Sequence, residues 1–134
     1  MIFKRESFMP HARIDMHRDL QPQMADISDA ILRGMVAGYD MPADDLFQIF
    51  RLHDQGELVY SPTFPNQQRT DIIFIELVAQ VGYTDEIKQR TMSAIVDEVS
   101  ALGIKRDNLL LVHHDVHGAA WYAPEPLAPA TQPI

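Results

Sequence analysis

The sequence contains no cysteine, which excludes disulfides and thiolate metal sites and makes a reducing cytoplasm the expected setting. It is also poor in basic residues: 11 Lys and Arg against 19 Asp and Glu leave a net charge of −8. A nucleic-acid partner needs a basic face, so none is expected. A small anionic substrate stays open, because one arginine in a pocket holds a carboxylate against an unfavourable overall field. No apolar run approaches the roughly 20 residues of a membrane span, so no membrane partner is expected. Residues 1–8 lack the long apolar stretch of a secretory signal. Nor is there a glycine-rich phosphate cradle or a nucleophile elbow. What is present, 134 residues at 46% hydrophobic and 22% charged, suits one globular domain with a modest core.

The chain reads as two similar halves. Residues 10–15 form a short strand, and Gln21-Pro22 opens a helix with proline at its first position. Met24, Ile27, Ile31 and Met35 give that helix one apolar stripe. Gly38 ends it, residues 39–45 turn, and residues 46–50 read as a strand. The second half repeats this order. Residues 72–79 are the strongest strand signal, rich in β-branched and apolar side chains. Thr84 is placed as an N-cap, with Asp85 and Glu86 in the first turn. Ile87, Thr91, Ala94, Ile95, Val99 and Leu102 mark the second helix, Gly103 stops it, and residues 109–112 form the last strand. The match between Gly38-to-Leu46 and Gly103-to-Leu109 suggests an internal βαβ duplication. Residues 54–70, with Gly56, Pro62 and Pro65, read as a long surface loop. The proline-rich stretch 124–134 reads as a tail.

This order predicts an α/β (α+β) domain at 10–123, a duplicated β-α-β fold: a four-stranded mixed sheet with two helices on one face. Because residues 72–79 are apolar at odd and even positions alike, the strand is expected to be buried on both sides. Two helices cover one face only, so a second subunit is the simplest cover for the other.

One short motif carries chemistry. Met9-Pro10 is followed by His11-Ala12-Arg13-Ile14-Asp15, a start-like sequence eight residues inside the chain. If the chain begins at Pro10, the proline nitrogen is a free secondary amine; within a longer chain it is an amide with no basicity. Residues 1–9 are therefore expected to be a leader. An α-amine titrates at about 7.7–8.0, and burial lowers it toward neutrality, the useful range for acid–base work. Taken alone, Pro10 equally suits the first residue of an edge strand.

With these residues in place the chain resembles the tautomerase superfamily, within it the malonate semialdehyde decarboxylase-like branch. The resemblance rests on Met9-Pro10 opening a strand that ends in Asp15, on the run from Pro42 to Gln48, on Arg69-Thr70-Asp71 before the central strand, and on the late Trp121. It implies a homotrimer with active sites near subunit boundaries, and cofactor-independent chemistry at the amino-terminal proline. Pro10 matches that proline, acting as base in keto–enol tautomerases and as acid in hydratases and decarboxylases. Asp45 matches an aspartate that positions water, although Asp44-Asp45 after Pro42 also suits a plain turn. Trp121, with Tyr122, falls where the family has pocket aromatics; ordinary aromatic packing has comparable weight.

The chain also departs from the pattern. Decarboxylase-like members carry arginines just after the central strand, where this chain has Gln80-Val81-Gly82-Tyr83-Thr84. Val81 and Tyr83 cannot form the bidentate pair that arginine makes with a carboxylate. A keto–enol tautomerase acting on small 2-oxo acids such as arylpyruvates is thus favoured over decarboxylation, hydration or dehalogenation. Tyr83 is expected in the substrate pocket, and Arg13, Arg51 and Arg69 are the available carboxylate partners. A surface place for Arg51 and a loop-anchoring role for Arg69 stand beside that reading. The alternatives are a malonate semialdehyde decarboxylase- or hydratase-like activity, or a catalytically silent trimeric relative in which Pro10 is internal and the usual arginines are absent.

Six histidines invite a metal, above all the run His113-His114-Asp115-Val116-His117. On a strand, however, His113 and His114 face opposite ways, and no metal site is expected. His53 reads as a solvated loop histidine. A ferredoxin-like domain also fits the βαββαβ order. Strand pairing separates the two, and the strands at 10–15 and 72–79 are expected to pair in parallel in the duplicated fold.

Overall fold

The computed structural model describes residues 8–122; most of the expected leader and the proline-rich tail lie outside them. The strands are β1 (His11–His17), β2 (Gln48–His53), β3 (Ile73–Gln80) and β4 (Leu109–Val116), and the helices are α1 (Met24–Tyr39) and α2 (Asp85–Ser100). They form one four-stranded sheet in the order β2-β1-β3-β4. β1 runs parallel to β2 and β3 parallel to β4, as each helix returns the chain to a neighbouring parallel strand. A ferredoxin-like sheet splits its βαβ units around an intervening strand; here each pair is adjacent, which excludes that fold.

The central pair differs from expectation. β1 and β3 are antiparallel, with His11 opposite Val78 and Met16 opposite Ile73. The reason lies in the connection. Residues 54–72 leave the end of β2 and cross only the end of β1, so β3 starts at that same end and runs back. The two βαβ halves thus meet about an approximate twofold axis between β1 and β3.

Both helices pack on one face. Ala12, Ile14 and Met16 of β1, with Ile73, Ile75 and Leu77 of β3, meet Ile27, Ile31, Ile95 and Val99, all fully or almost fully buried. Thr84 caps α2 as expected, its hydroxyl accepting from the Ile87 N–H at 3.1 Å. Helix α1 departs from expectation at both ends. Pro22 lies in a 3-10 turn (Arg18–Gln23), and the α-helix starts at Met24. It continues past Gly38 to Tyr39 and ends on Asp40 in the left-handed conformation (φ 59°). Gly38 serves packing instead. A Cβ there would fall onto the Cα and Oγ1 of Thr91, and the Gly38 carbonyl accepts from Arg90 Nε at 3.0 Å and Nη2 at 2.6 Å.

The second sheet face carries no helix. It mixes half-exposed Ile49, Leu110 and Val112 with Arg51, Glu76 and His114. Among the described residues no helix is long and apolar enough to cross a membrane.

Candidate active site

The topology gathers specific residues at one end of the sheet. β1 and β2 begin there, β3 and β4 finish there, α1 ends there and α2 starts there. Pro10 is buried immediately before β1. Continuing the β1–β3 register by one residue sets it opposite Ala79, which in turn pairs with Asp115 of β4. The parallel β1–β2 register, continued backwards, brings half-buried Asp45 level with Met9. Tyr83, buried, follows β3; Trp121, half-buried, follows β4, its ring 5.9 Å from that of His11. Pro10, Asp45, Tyr83 and Trp121 therefore share one end of the fold.

The two arginines lie elsewhere in the protomer. Arg51 is on the open sheet face, Nη1 3.6 Å from Asp15 Oδ2, and pairs in register with Asp15, five residues along from Pro10. At about 3.3 Å per residue that is roughly 17 Å away. Its neighbour His53 is not a solvated loop residue but the last residue of β2, Nε2 2.7 Å from Asp15 Oδ1. Arg69 anchors its own loop, Nη1 donating to the Phe64 carbonyl at 2.6 Å and to the Ser61 carbonyl at 3.0 Å. A cleft of about 330 Å³ at the opposite end of the sheet, lined by Leu20, Thr70, Asp71, Lys105 and Asn108 among others, is likewise remote from Pro10.

Several residues at the Pro10 end were not singled out from sequence. Tyr39, the last residue of α1, stacks on Tyr83 with centroids 4.2 Å apart, and both present edges or faces to His113 at 5.9 and 6.4 Å. Burial first, then the neighbouring Tyr83 and Asp115, pushes the Tyr39 phenol far above its ordinary range, so it stays protonated. Lys88 Nζ donates to Asp115 Oδ2 at 2.6 Å, and that hydrogen bond raises the ammonium's pKa further. The signal for Tyr39 was present: a helix antiparallel to β1 must deliver its last residue to the start of β1.

The His113 side chain is 3% exposed, and neither ring nitrogen has a hydrogen-bond partner among the described residues; Asp115 Oδ1 stands 3.5 Å from Nδ1. Burial, aided by Lys88 and His114 and opposed by Asp115, lowers its pKa below 6.5. The unfolded chain therefore takes up this proton first, and acidification below pH 6.5 favours unfolding. Melting temperatures should fall between pH 7.5 and 5.5, and His113→Phe should flatten that slope. Some slope remains from His11, whose pKa burial and Arg13 also lower. Among the described residues no three His, Asp or Glu side chains converge as a metal site requires.

Known proteins share the fold and the family of this chain. Residues 45–122, more than half of the chain, match the family model Tautomerase_2, described as "Tautomerase enzyme". Probable tautomerase YusQ of Bacillus subtilis (strain 168) is 27% identical over 88 residues, 64% of this chain and 69% of that protein. Among solved structures, the FG41 malonate semialdehyde decarboxylase inhibited by 3-bromopropiolate superposes with a TM-score of 0.76 at 27% identity, covering 83% of this chain and 86% of that one. A fused 4-OT wild-type symmetric trimer shares the fold, with a TM-score of 0.72 at 15% identity over 88% and 94% of the two chains. The β-α-β duplication and the family match over 45–122 agree: this chain belongs to the tautomerase family.

Proposed function

We propose that the chain, when it begins at Pro10, is a cofactor-independent keto–enol tautomerase of small 2-oxo acids such as arylpyruvates, working as a homotrimer in the cytoplasm. The observation that carries this reading is the burial of Pro10 at the end of the sheet where Asp45, Tyr83 and Trp121 also lie. A free Pro10 amine takes the enol O–H proton, the released electron pair closes the C2=O bond, and the C2=C3 pair takes a proton from the same nitrogen at C3. The reaction leaves the amine as it began. Asp45 orients the proton transfer, and Trp121 walls the site.

The carboxylate needs a guanidinium. Arg90, the nearest arginine after β3 in sequence, is engaged with the Gly38 carbonyl. Arg13, three residues beyond Pro10 on the open face of β1, has a buried Nε with no hydrogen-bond partner among the described residues, and along the strand it is nearer to Pro10 than Arg51 is. Arg51 lies on the open sheet face, which a trimer would cover, so a neighbouring subunit's copy is the second source. The half-exposed Ile49, Leu110 and Val112 on that face and the trimeric state of the fused 4-OT protein support this assembly.

The decarboxylase likeness at 27% identity favours a second reading, malonate semialdehyde decarboxylation or hydration, which the arginine-free segment 80–84 opposes. With residues 1–9 attached, Pro10 is an amide and the same fold is silent. Ketonisation of phenylpyruvate by the chain begun at Pro10, followed by loss of enol absorbance, tests the reading. A rate no higher than that of the Pro10→Ala variant rejects it.

A further inference from the structure

Phe8 occupies a defined seat two residues before Pro10. Its ring meets the Tyr83 ring edge-on, centroids 4.8 Å apart and planes at 88°. The far edge of the ring rests on the backbone of Gly82: a Cβ added there would stand 2.7 Å from Phe8 Cε1 and Cζ. Any side chain at position 82 would fill the space the ring now takes. Behind Tyr83 stands Tyr39, in the 4.2 Å stack. The walls thus come from the end of β3 and the end of α1.

The way Phe8 reaches the seat is less favourable than the seat itself. Its carbonyl accepts from the Gln80 N–H at 3.1 Å, but its own N–H reaches Tyr83 Oη only at 3.4 Å. Met9 must adopt φ 53°, a left-handed conformation that costs a non-glycine residue energy. An edge-to-face partner and a bare peptide surface are what any phenyl ring prefers. One residue, Met9, separates Phe8 from Pro10, so their Cα atoms stand at most about 7.6 Å apart. The seat is therefore tied closely to the start of β1, where Pro10 lies.

We propose that Gly82 and Tyr83, backed by Tyr39, form an aryl-ring subsite, filled by Phe8 in this chain and open to a substrate's phenyl group when residues 1–9 are absent. The seat gives the Pro10 site its substrate class, 2-oxo acids with an aryl substituent, and in this it rests on the tautomerase reading. It also makes Phe8 an internal competitor for that ring.

The test is binding of phenylacetate, with acetate as control, read from Tyr83 ring resonances and from the melting temperature. In the full chain, Phe8→Ala should bind phenylacetate at least tenfold more tightly than the unaltered chain, shifting Tyr83, while acetate shifts nothing. The chain begun at Pro10 should behave as Phe8→Ala does, and carries the same test if that variant does not fold. Equal binding by the unaltered chain, or no phenylacetate binding by the vacated chains, overturns the subsite. A Pro10-first chain that binds phenylacetate but ketonises phenylpyruvate no faster than its Pro10→Ala variant keeps the subsite and discards the tautomerase reading. Ketonisation without phenylacetate binding does the reverse.

Discussion

A chain beginning at Pro10 is expected to ketonise phenylpyruvate about 10²–10⁴-fold faster than the same chain carrying residues 1–9, the range a positioned general acid–base group contributes. The expectation follows from one bond. An amide nitrogen has its lone pair delocalised into the carbonyl, whereas the secondary amine of a terminal proline keeps it. The fold otherwise changes little, because β1 starts at His11 and its registered pairs with β2 and β3 lie at or after that residue, with the Gln80 N–H bond to the Phe8 carbonyl given up. Removing residues 1–9 also lifts the Phe8 ring from Gly82, so the two effects must be separated. Phe8→Ala in the full chain opens the seat but leaves Pro10 an amide, and its turnover should stay at the background rate. Intact mass establishes which residue is first in each preparation. Equal rates with and without residues 1–9 would remove Pro10 from the mechanism.

The second large effect concerns stability. Gly38→Ala should destabilise the fold by about 3 kcal/mol, at the upper end of what overpacking a core costs. For a domain of this size that corresponds to a melting temperature roughly 10–15 °C lower. The added methyl group would fall onto the backbone and hydroxyl of Thr91 and stand 2.6 Å from its Cβ. Thr91 is fully buried and its hydroxyl already donates to the Ile87 carbonyl at 2.8 Å, so it has nowhere to turn. The helices must separate, and the two Arg90 hydrogen bonds to the Gly38 carbonyl go with that movement. Gly118→Ala is the control, since its Cβ meets nothing within 4 Å and its φ is not positive. A melting temperature for Gly38→Ala no lower than for Gly118→Ala would show that the helices do not approach so closely.

Gly38 also illustrates how far the sequence can be read. A glycine near the end of an apolar stripe has the form of a helix stop, and only the partner helix shows that it is a contact point. Local signals did well where the cause is local: the α1 stripe, the Thr84 cap and the β-branched, apolar run of β3 all depend on near neighbours. The antiparallel β1–β3 pairing was misjudged because strand direction is set by where residues 54–72 carry the chain, and no short-range pattern records that. The site divided the same way. Pro10, Asp45, Tyr83 and Trp121 were named from motif order, and register brings them to one end of the sheet. Arg51 and Arg69 were named because a carboxylate needs a cation, and in the protomer they lie with Asp15 and with the loop carbonyls of Ser61 and Phe64. Tyr39, His113 and Phe8 were passed over as site residues. A tyrosine at a helix end, a histidine in a histidine-rich strand and a phenylalanine in a leader carry no signature until the fold brings them together.

The most direct test of the central claim is the titration of the Pro10 nitrogen itself, followed by nitrogen NMR in ¹⁵N-proline-labelled chain begun at Pro10, beside the pH dependence of kcat/KM for phenylpyruvate. Pro10 is buried, and burial disfavours the charged amine, so its pKa should fall below the ordinary range of about 7.7–8.0. The rate should rise with pH through that same midpoint as the amine loses its proton. A rate profile with a different midpoint, or one that persists unchanged in Pro10→Ala, would contradict the account.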